Sequence, residues 1–284
     1  MLRHTLMGLI LAAGMLLQSG CGGGGTQTGT LVQNVSIIVA NYLVLDLASG
    51  DVEARSDVPN LATSSEYRRT KMVFKAISAG ANGIGQAPGS FSAQADESPG
   101  TANVRKYYIA VFEMTQAQWQ VLAGTTPWTL VNPTSVVGGI INSPEAPAFD
   151  IRQASVTQTL ASASSRLGVV LDLPTDDQWE YACRAGGAGI FCWGSSRSDL
   201  VARTYAQVGE TAAGATGPLI VGSLSPNGYG LFDMHGNVWE MTKSGTMRGG
   251  SWSDTLTQAR SANKVTLDPQ LAHALVGMRL VLVP

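Results

Sequence analysis

An α+β fold, rich in loops with short strands and a few helices, is what three features of this sequence predict. Glycine fills 33 of the 284 positions and only 13% of residues are charged, about half the ~25% of an average soluble chain. A run rich in Val, Ile, Leu and Tyr, without helix caps, occupies residues 31–47, and residues 71–77 are another strand candidate. Further on, two capping boxes, each a Thr followed three positions later by Gln, open helices. With 44% hydrophobic residues the chain has enough apolar surface for a real core. The length fits one domain with a small extension. A near-neutral balance, 18 basic against 20 acidic residues, gives no electrostatic footprint for nucleic acid, which is not expected as a partner.

The elements follow in order. Met1 to His4 is a short basic start, and Leu6 to Leu17 is an apolar run too short to cross a bilayer permanently, with the length of a signal core. Ser19 and Gly20 then precede Cys21. Small residues directly before a Cys resemble the lipobox of bacterial lipoproteins, whose Cys carries the lipid after cleavage. Gln18 stands where that motif usually has Leu, and an ordinary secretory signal cut nearby is the other reading. Both export the chain, and the first anchors it to a membrane of the bacterial cell envelope. Residues 1–20 are therefore read as a signal segment and residues 21–30 as a Gly-rich tether. Residues 31–70 are read as an accessory β segment, and 71–284 as the main domain.

Gly80 to Thr101 reads as a loop. Its Gly83 and Gly85 lack the third glycine and the strand-to-helix context of a dinucleotide fingerprint. Tyr107 to Met114 is a strand running into the capping box Thr115 to Gln118, whose helix ends near Gly124. Asp150 is positioned to cap a second helix through Leu167, stopped by Gly168. The second capping box, Thr175 to Gln178, starts a helix through Arg184, with Asp176 and Asp177 in the first turn, where the macrodipole favours them. After Gly187 turns and short strands are expected, closing on Gly277 to Leu282.

Four segments carry a family resemblance. Leu173-Pro174-Thr175-Asp176-Asp177-Gln178-Trp179-Glu180-Tyr181-Ala182 resembles LPTEAEWEYA. Tyr229 through Glu240, including Asp233-Met234-His235-Gly236-Asn237-Val238-Trp239, resembles YGLYDMHGNVWEW. Arg248-Gly249-Gly250-Ser251-Trp252 and Gly277-Met278-Arg279 resemble RGGSW and a closing GFR. Their order and spacing are similar to those of the formylglycine-generating-enzyme, or sulfatase-modifying-factor, domain, a variant of the C-type lectin fold. The resemblance runs from about Lys71 to the C-terminus.

The resemblance implies one calcium ion, held by the side chains of Asp233 and Glu240 and the carbonyls of Gly236 and Val238, a set of hard oxygen donors. Backbone capping by Glu240 and Asn237 is the alternative reading. The family's oxidases bind copper(I) through two cysteines shortly after the Gly-Gly-Ser segment. Here Ser251 to Gln258 holds none, so no copper is expected. The family's iron enzymes use a three-His site, and beyond the signal segment only His235 and His273 remain, so no iron is expected either. Cys183 and Cys192, in another part of the domain, are either a disulfide or two buried free thiols.

The segment from Trp252 to Met278 also resembles the variable region of retroelement-diversified proteins that use this lectin-like domain. That resemblance implies a fixed framework of residues 248–252, 259–263, 268–269 and 277–279. Between these lie three candidate ligand-binding gaps: Ser253, Asp254, Thr255 and Leu256; Val265, Thr266 and Leu267; and Leu271, Ala272, His273, Ala274 and Leu275. The ligand class implied is a protein or a glycan. Ordinary packing of the apolar residues in the gaps is the alternative.

Overall fold

The computed structural model of the chain describes residues 40–131, 142–209, 217–266 and 268–283. The signal segment 1–20, Cys21, the 21–30 tether and Leu267 lie outside the described residues. A six-stranded sheet forms the body of the molecule. Its strands are β1 (Tyr42–Asp46), β2 (Val52–Arg55), β3 (Lys71–Ile77), β6 (Tyr107–Ala110), β7 (Val170–Asp172) and β14 (Val281–Val283), ordered β2-β1-β3-β6-β14-β7. All neighbours described in it are antiparallel. β1 lies directly on β3, Leu43 opposite Phe74. The described strands of the 31–70 segment, β1 and β2, are thus part of the main sheet, and residues 31–39 lie outside the described residues.

Alternation along the central strands explains why both faces are covered. Phe74, Tyr108 and Leu282 face the largest core cluster, whereas Ile77, Ile109 and Val281 face a second one with Trp179 and Met234. The first face is closed by α2 (Gln116–Ala123) and α3 (Gln153–Leu167). α3 buries Val156, Leu160, Ala163 and Leu167, a stripe at the helical repeat. The second face is closed by α4 (Asp176–Arg184). A short helix α1 (Glu66–Arg69) precedes β3, and α5 (Asp199–Tyr205) follows α4.

Both capping boxes form as the sequence predicts. Thr115 and Thr175 each accept the N3 amide, and Gln118 and Gln178 reach back to the cap amides. α2 and α3 end at left-handed Gly124 and Gly168. Asp150 does not cap α3. That helix begins at Gln153, with extended Arg152 as its cap residue and no side-chain cap, while Asp150 sits at φ 61°. Two further elements depart from expectation. β4 (Gly80–Ile84) and β5 (Gly100–Val104) pair as an antiparallel hairpin inside the stretch read as a loop, because backbone pairing needs no β-branched side chains. α5 appears where only turns and strands were expected.

The C-terminal third builds a second sheet of β12 (Lys264–Thr266), β11 (Thr246–Arg248), β10 (Trp239–Met241) and β13 (Val276–Met278), in that order. The pair β8 (Ala206–Gln207) and β9 (His235–Gly236) lies beside it. The architecture is α+β, as the sequence predicts.

Candidate ligand-binding face

The family words form a buried polar frame beneath the C-terminal segment. Arg279 lies at the centre. Its guanidinium donates to both Glu240 carboxylate oxygens (2.7–3.1 Å), to the Ala110 and Val111 carbonyls (3.0 and 2.8 Å) and to the Phe232 carbonyl (2.7 Å). The Trp179 indole N–H donates to the same carboxylate at 2.6 Å. Glu113 accepts from Asn237 Nδ2 (2.5 Å) and from the Val238 amide (3.2 Å). Burial, reinforced by Asp233 and Glu240, raises the Glu113 carboxyl well above the ordinary range. Two glycines admit close backbone passage here. At Gly236, φ is +85° and a Cβ would lie 2.0 Å from the Gln207 carbonyl oxygen; at Gly277 it would lie 2.5 Å from that of Ala148.

A second buried frame pins the segment from the other side. Every guanidinium donor of Arg260 is used: Nε to the Thr257 carbonyl (2.7 Å), Nη1 to Gln86 (2.9 Å) and Glu97, Nη2 to Glu97 (2.8 Å) and Asn263 (3.2 Å). Asn263 in turn donates to the Gln258 carbonyl (2.8 Å) and accepts from Gln94 (2.9 Å). The stretch between β4 and β5 therefore serves as a clamp on residues 258–263. Arg248 joins the first turns of α4, donating to Asp176 (2.7 Å) and Glu180 (3.2 Å).

Against this frame, exposure along the segment alternates. Ser251, Trp252, residues 259–263 and residues 276–279 are buried. Ser253, Val265, Thr266, Leu271, Ala272 and His273 are exposed, and Asp254, Thr255, Ala274 and Leu275 are half-buried. Leu256 corrects the expectation for its gap: it is 6% exposed and packs with Phe191, Ala202, Val208 and Ala259. Ala274 and Leu275 also pack partly on the main core. Asp254 is tied back to the frame, its carboxylate accepting from the Ser251 amide (2.9 Å) and hydroxyl (2.5 Å).

The gaps do not form one continuous patch. Thr266 shares a groove with Gln153, Ala154 and Thr157, and Ala272 shares a cavity with Arg152, Ser155 and Gln158. Both thus meet the first turns of α3. Residues 253–256 sit elsewhere, against Gly209 and the Phe191 cluster.

Of the four residues expected to hold calcium, the two carboxylates are already committed. Arg279 and Trp179 occupy the Glu240 oxygens, and Asp233 accepts from the Gly222 amide at 2.6 Å. Burial pushes the Asp233 carboxyl up to about 6. A guanidinium stands where a hard cation would need free oxygens, and among the described residues no group of three His, Cys, Asp or Glu is arranged to hold a metal. The residues present do not fit a calcium ion.

Cys183 and Cys192 are both free thiols grouped around His235. His235 Nδ1 lies 2.6 Å from the Ala259 carbonyl and so must donate to it, leaving Nε2 as the acceptor. Nε2 accepts the Cys192 amide (3.1 Å) and faces Cys183 Sγ at 3.6 Å. Burial lowers His235 to about 4 and raises Cys192 to about 12.

Fold and frame together define a formylglycine-generating-enzyme-like domain. The chain belongs to that family: the model of the sulfatase-modifying factor enzyme 1-like domain matches residues 63–283. An inactive C-alpha-formylglycine-generating enzyme 2 from Mus musculus is 32% identical over 127 residues, covering 38% of this chain and 41% of that one. A formylglycine-generating enzyme from Mycobacterium tuberculosis is 40% identical over 77 residues, 25% of this chain and 26% of that one. The chain thus spans less than half the length of these curated relatives. Among solved structures, Treponema denticola variable protein 1 superposes with a TM-score of 0.63 at 19% identity, covering 76% of this chain and 96% of that one. PvdO from Pseudomonas aeruginosa gives 0.64 at 21%, covering 75% and 94%.

The sequence reading missed the cavity at the start of α3. Its wall residues Trp119, Asp150 and Arg152 lie outside the family words, and Asp150 resembled a helix cap.

Proposed function

We propose that this chain is an exported, lipid-anchored ligand-binding protein of the cell envelope, built on the formylglycine-generating-enzyme-like scaffold. Its ligand, a protein or a glycan, is met by the exposed residues between positions 253 and 275, with Val265, Thr266, Leu271, Ala272 and His273 foremost. The observation that carries this reading is the alternation of burial. Framework residues hold salt bridges and amide locks, so neighbouring surface side chains can change without unfolding the core. Exposed apolar side chains, Val265 at 38% and Leu271 at 60%, add a hydrophobic component. The fold shared with a protein called variable is consistent with diversification of this segment.

The experiment is amplicon sequencing of codons 246–284 across a population of the source organism. Substitutions confined to the exposed gaps, with Trp252, Asn263 and Gly277 constant, support a diversified receptor. A uniform segment removes diversification and leaves a fixed-ligand binder. An oxidase of the formylglycine-generating type is the competing reading. Ser251 to Gln258 lacks the cysteine pair, and copper-dependent conversion of a Cys-containing sulfatase peptide would establish that reading instead.

A further inference from the structure

A cavity of about 540 Å³ opens between α2, the Pro127–Leu130 turn and the start of α3, within the usual size of small-molecule sites. Its accessible apolar lining includes Ala123, Pro127 and the exposed Leu130, backed by Trp119 and Ile151, which are buried in the main core. The Trp119 indole is held by Thr125 at 3.0 Å, which fixes that part of the wall.

On the α3 side stand two opposite charges, Asp150 and Arg152. Among the described residues, neither side chain forms a hydrogen bond or an ion pair. The Asp150 backbone is fixed at φ 61°, with its amide donating to the His273 carbonyl at 3.2 Å. Asp is among the few non-glycine residues that adopt this left-handed region readily. Burial raises the Asp150 carboxyl, while the nearby charges of His273 and of the exposed Arg152 act in the opposite direction.

We infer that this cavity binds a small zwitterion, an α-amino acid or a short peptide, with its ammonium on Asp150, its carboxylate on Arg152 and its apolar body toward Pro127 and Leu130. A single charge of either sign would satisfy one wall residue and leave the other idle. A zwitterion satisfies both, and the apolar part of the wall removes its side chain from water. The inference does not rest on the C-terminal face: Ala272 is the lining residue the two have in common.

The test titrates the full chain calorimetrically with the standard α-amino acids and with Leu-Gly and Leu-Gly-Gly. N-acetyl-leucine, leucine amide and glucosamine serve as controls. Asp150→Asn retains the left-handed preference, since Asn also tolerates it, and thermal melting without ligand confirms that this variant and Arg152→Gln fold. At least one apolar zwitterion is expected to bind, and the relative strength of free amino acids and peptides identifies the source. Blocking either terminus, or either substitution, should weaken binding at least about tenfold, or ~1.4 kcal/mol. The inference is overturned if no zwitterion binds the native chain, if the blocked ligands or glucosamine bind equally well, or if Asp150→Asn binds undiminished.

Discussion

Arg260 and Glu97 form a wholly buried ion pair across 163 positions of the chain, joining the β4–β5 connection to the C-terminal framework. Around it Gln86, Thr257 and Asn263 take the remaining guanidinium donors. The pair explains how a segment with little regular structure between residues 251 and 263 is held in one conformation.

Glu97→Gln removes the carboxylate and leaves the Arg260 charge buried and unpaired. Breaking a buried pair from one side costs about 3–5 kcal/mol. Urea unfolding should show a loss of that order, with the midpoint lowered. The double variant Glu97→Leu/Arg260→Met should recover part of it, because no charge then remains to be solvated.

Gly236→Ala is expected to destabilise by about 1–3 kcal/mol from the backbone conformation alone. The added Cβ would also meet the Gln207 carbonyl 2.0 Å away, so β8 and β9 must separate. Equilibrium unfolding of the variant measures the loss, and a change within experimental error would show that the local backbone yields freely.

Calcium should leave the melting temperature unchanged, as should a chelator. Glu240 is paired with Arg279 and Trp179, so a cation would have to displace a buried guanidinium. A calcium-dependent rise in thermal melting would mean that Asp233 and Glu240 rearrange around an ion.

His235 gives a pH dependence of definite sign. Its folded value of about 4 lies below the ordinary 6.5, because burial disfavours the charged ring. The unfolded chain therefore binds more protons in that window, and this contribution to stability is present above pH 6.5 and lost as pH falls toward 4. Asp233 acts oppositely: with its folded value raised from 3.8 to about 6, its contribution is present below 3.8 and lost as pH rises through 6. Asp233→Asn should accordingly steepen the rise in stability between pH 4 and 6, read from denaturant midpoints at each pH.

What the sequence revealed was mostly local. A Thr and a Gln three apart decide a capping box among themselves, so Thr115 and Thr175 were legible as helix starts. The four motif words announced the frame around Arg279 because each is nearly continuous in sequence. The clamp between Glu97 and Arg260 depends on residues far apart in the chain, and nothing adjacent to either marks the other. Asp150 illustrates a competing possibility: an Asp before a helix suits a cap, but it equally tolerates the left-handed backbone that it adopts here. Leu256 sits in an otherwise polar gap, and only the Phe191 cluster beneath it shows that its side chain turns inward.

The most direct measurement is a combinatorial library at Val265, Thr266, Leu271, Ala272 and His273, displayed with a folding reporter, beside a matched library at Ser251, Trp252, Arg260, Asn263 and Gly277. Surface changes away from special contacts usually stay within about 0.5 kcal/mol. Most members of the first library should therefore remain folded, while nearly all of the second should not. If the first library unfolds as widely as the second, the C-terminal face is part of the packing and does not serve as a variable binding surface.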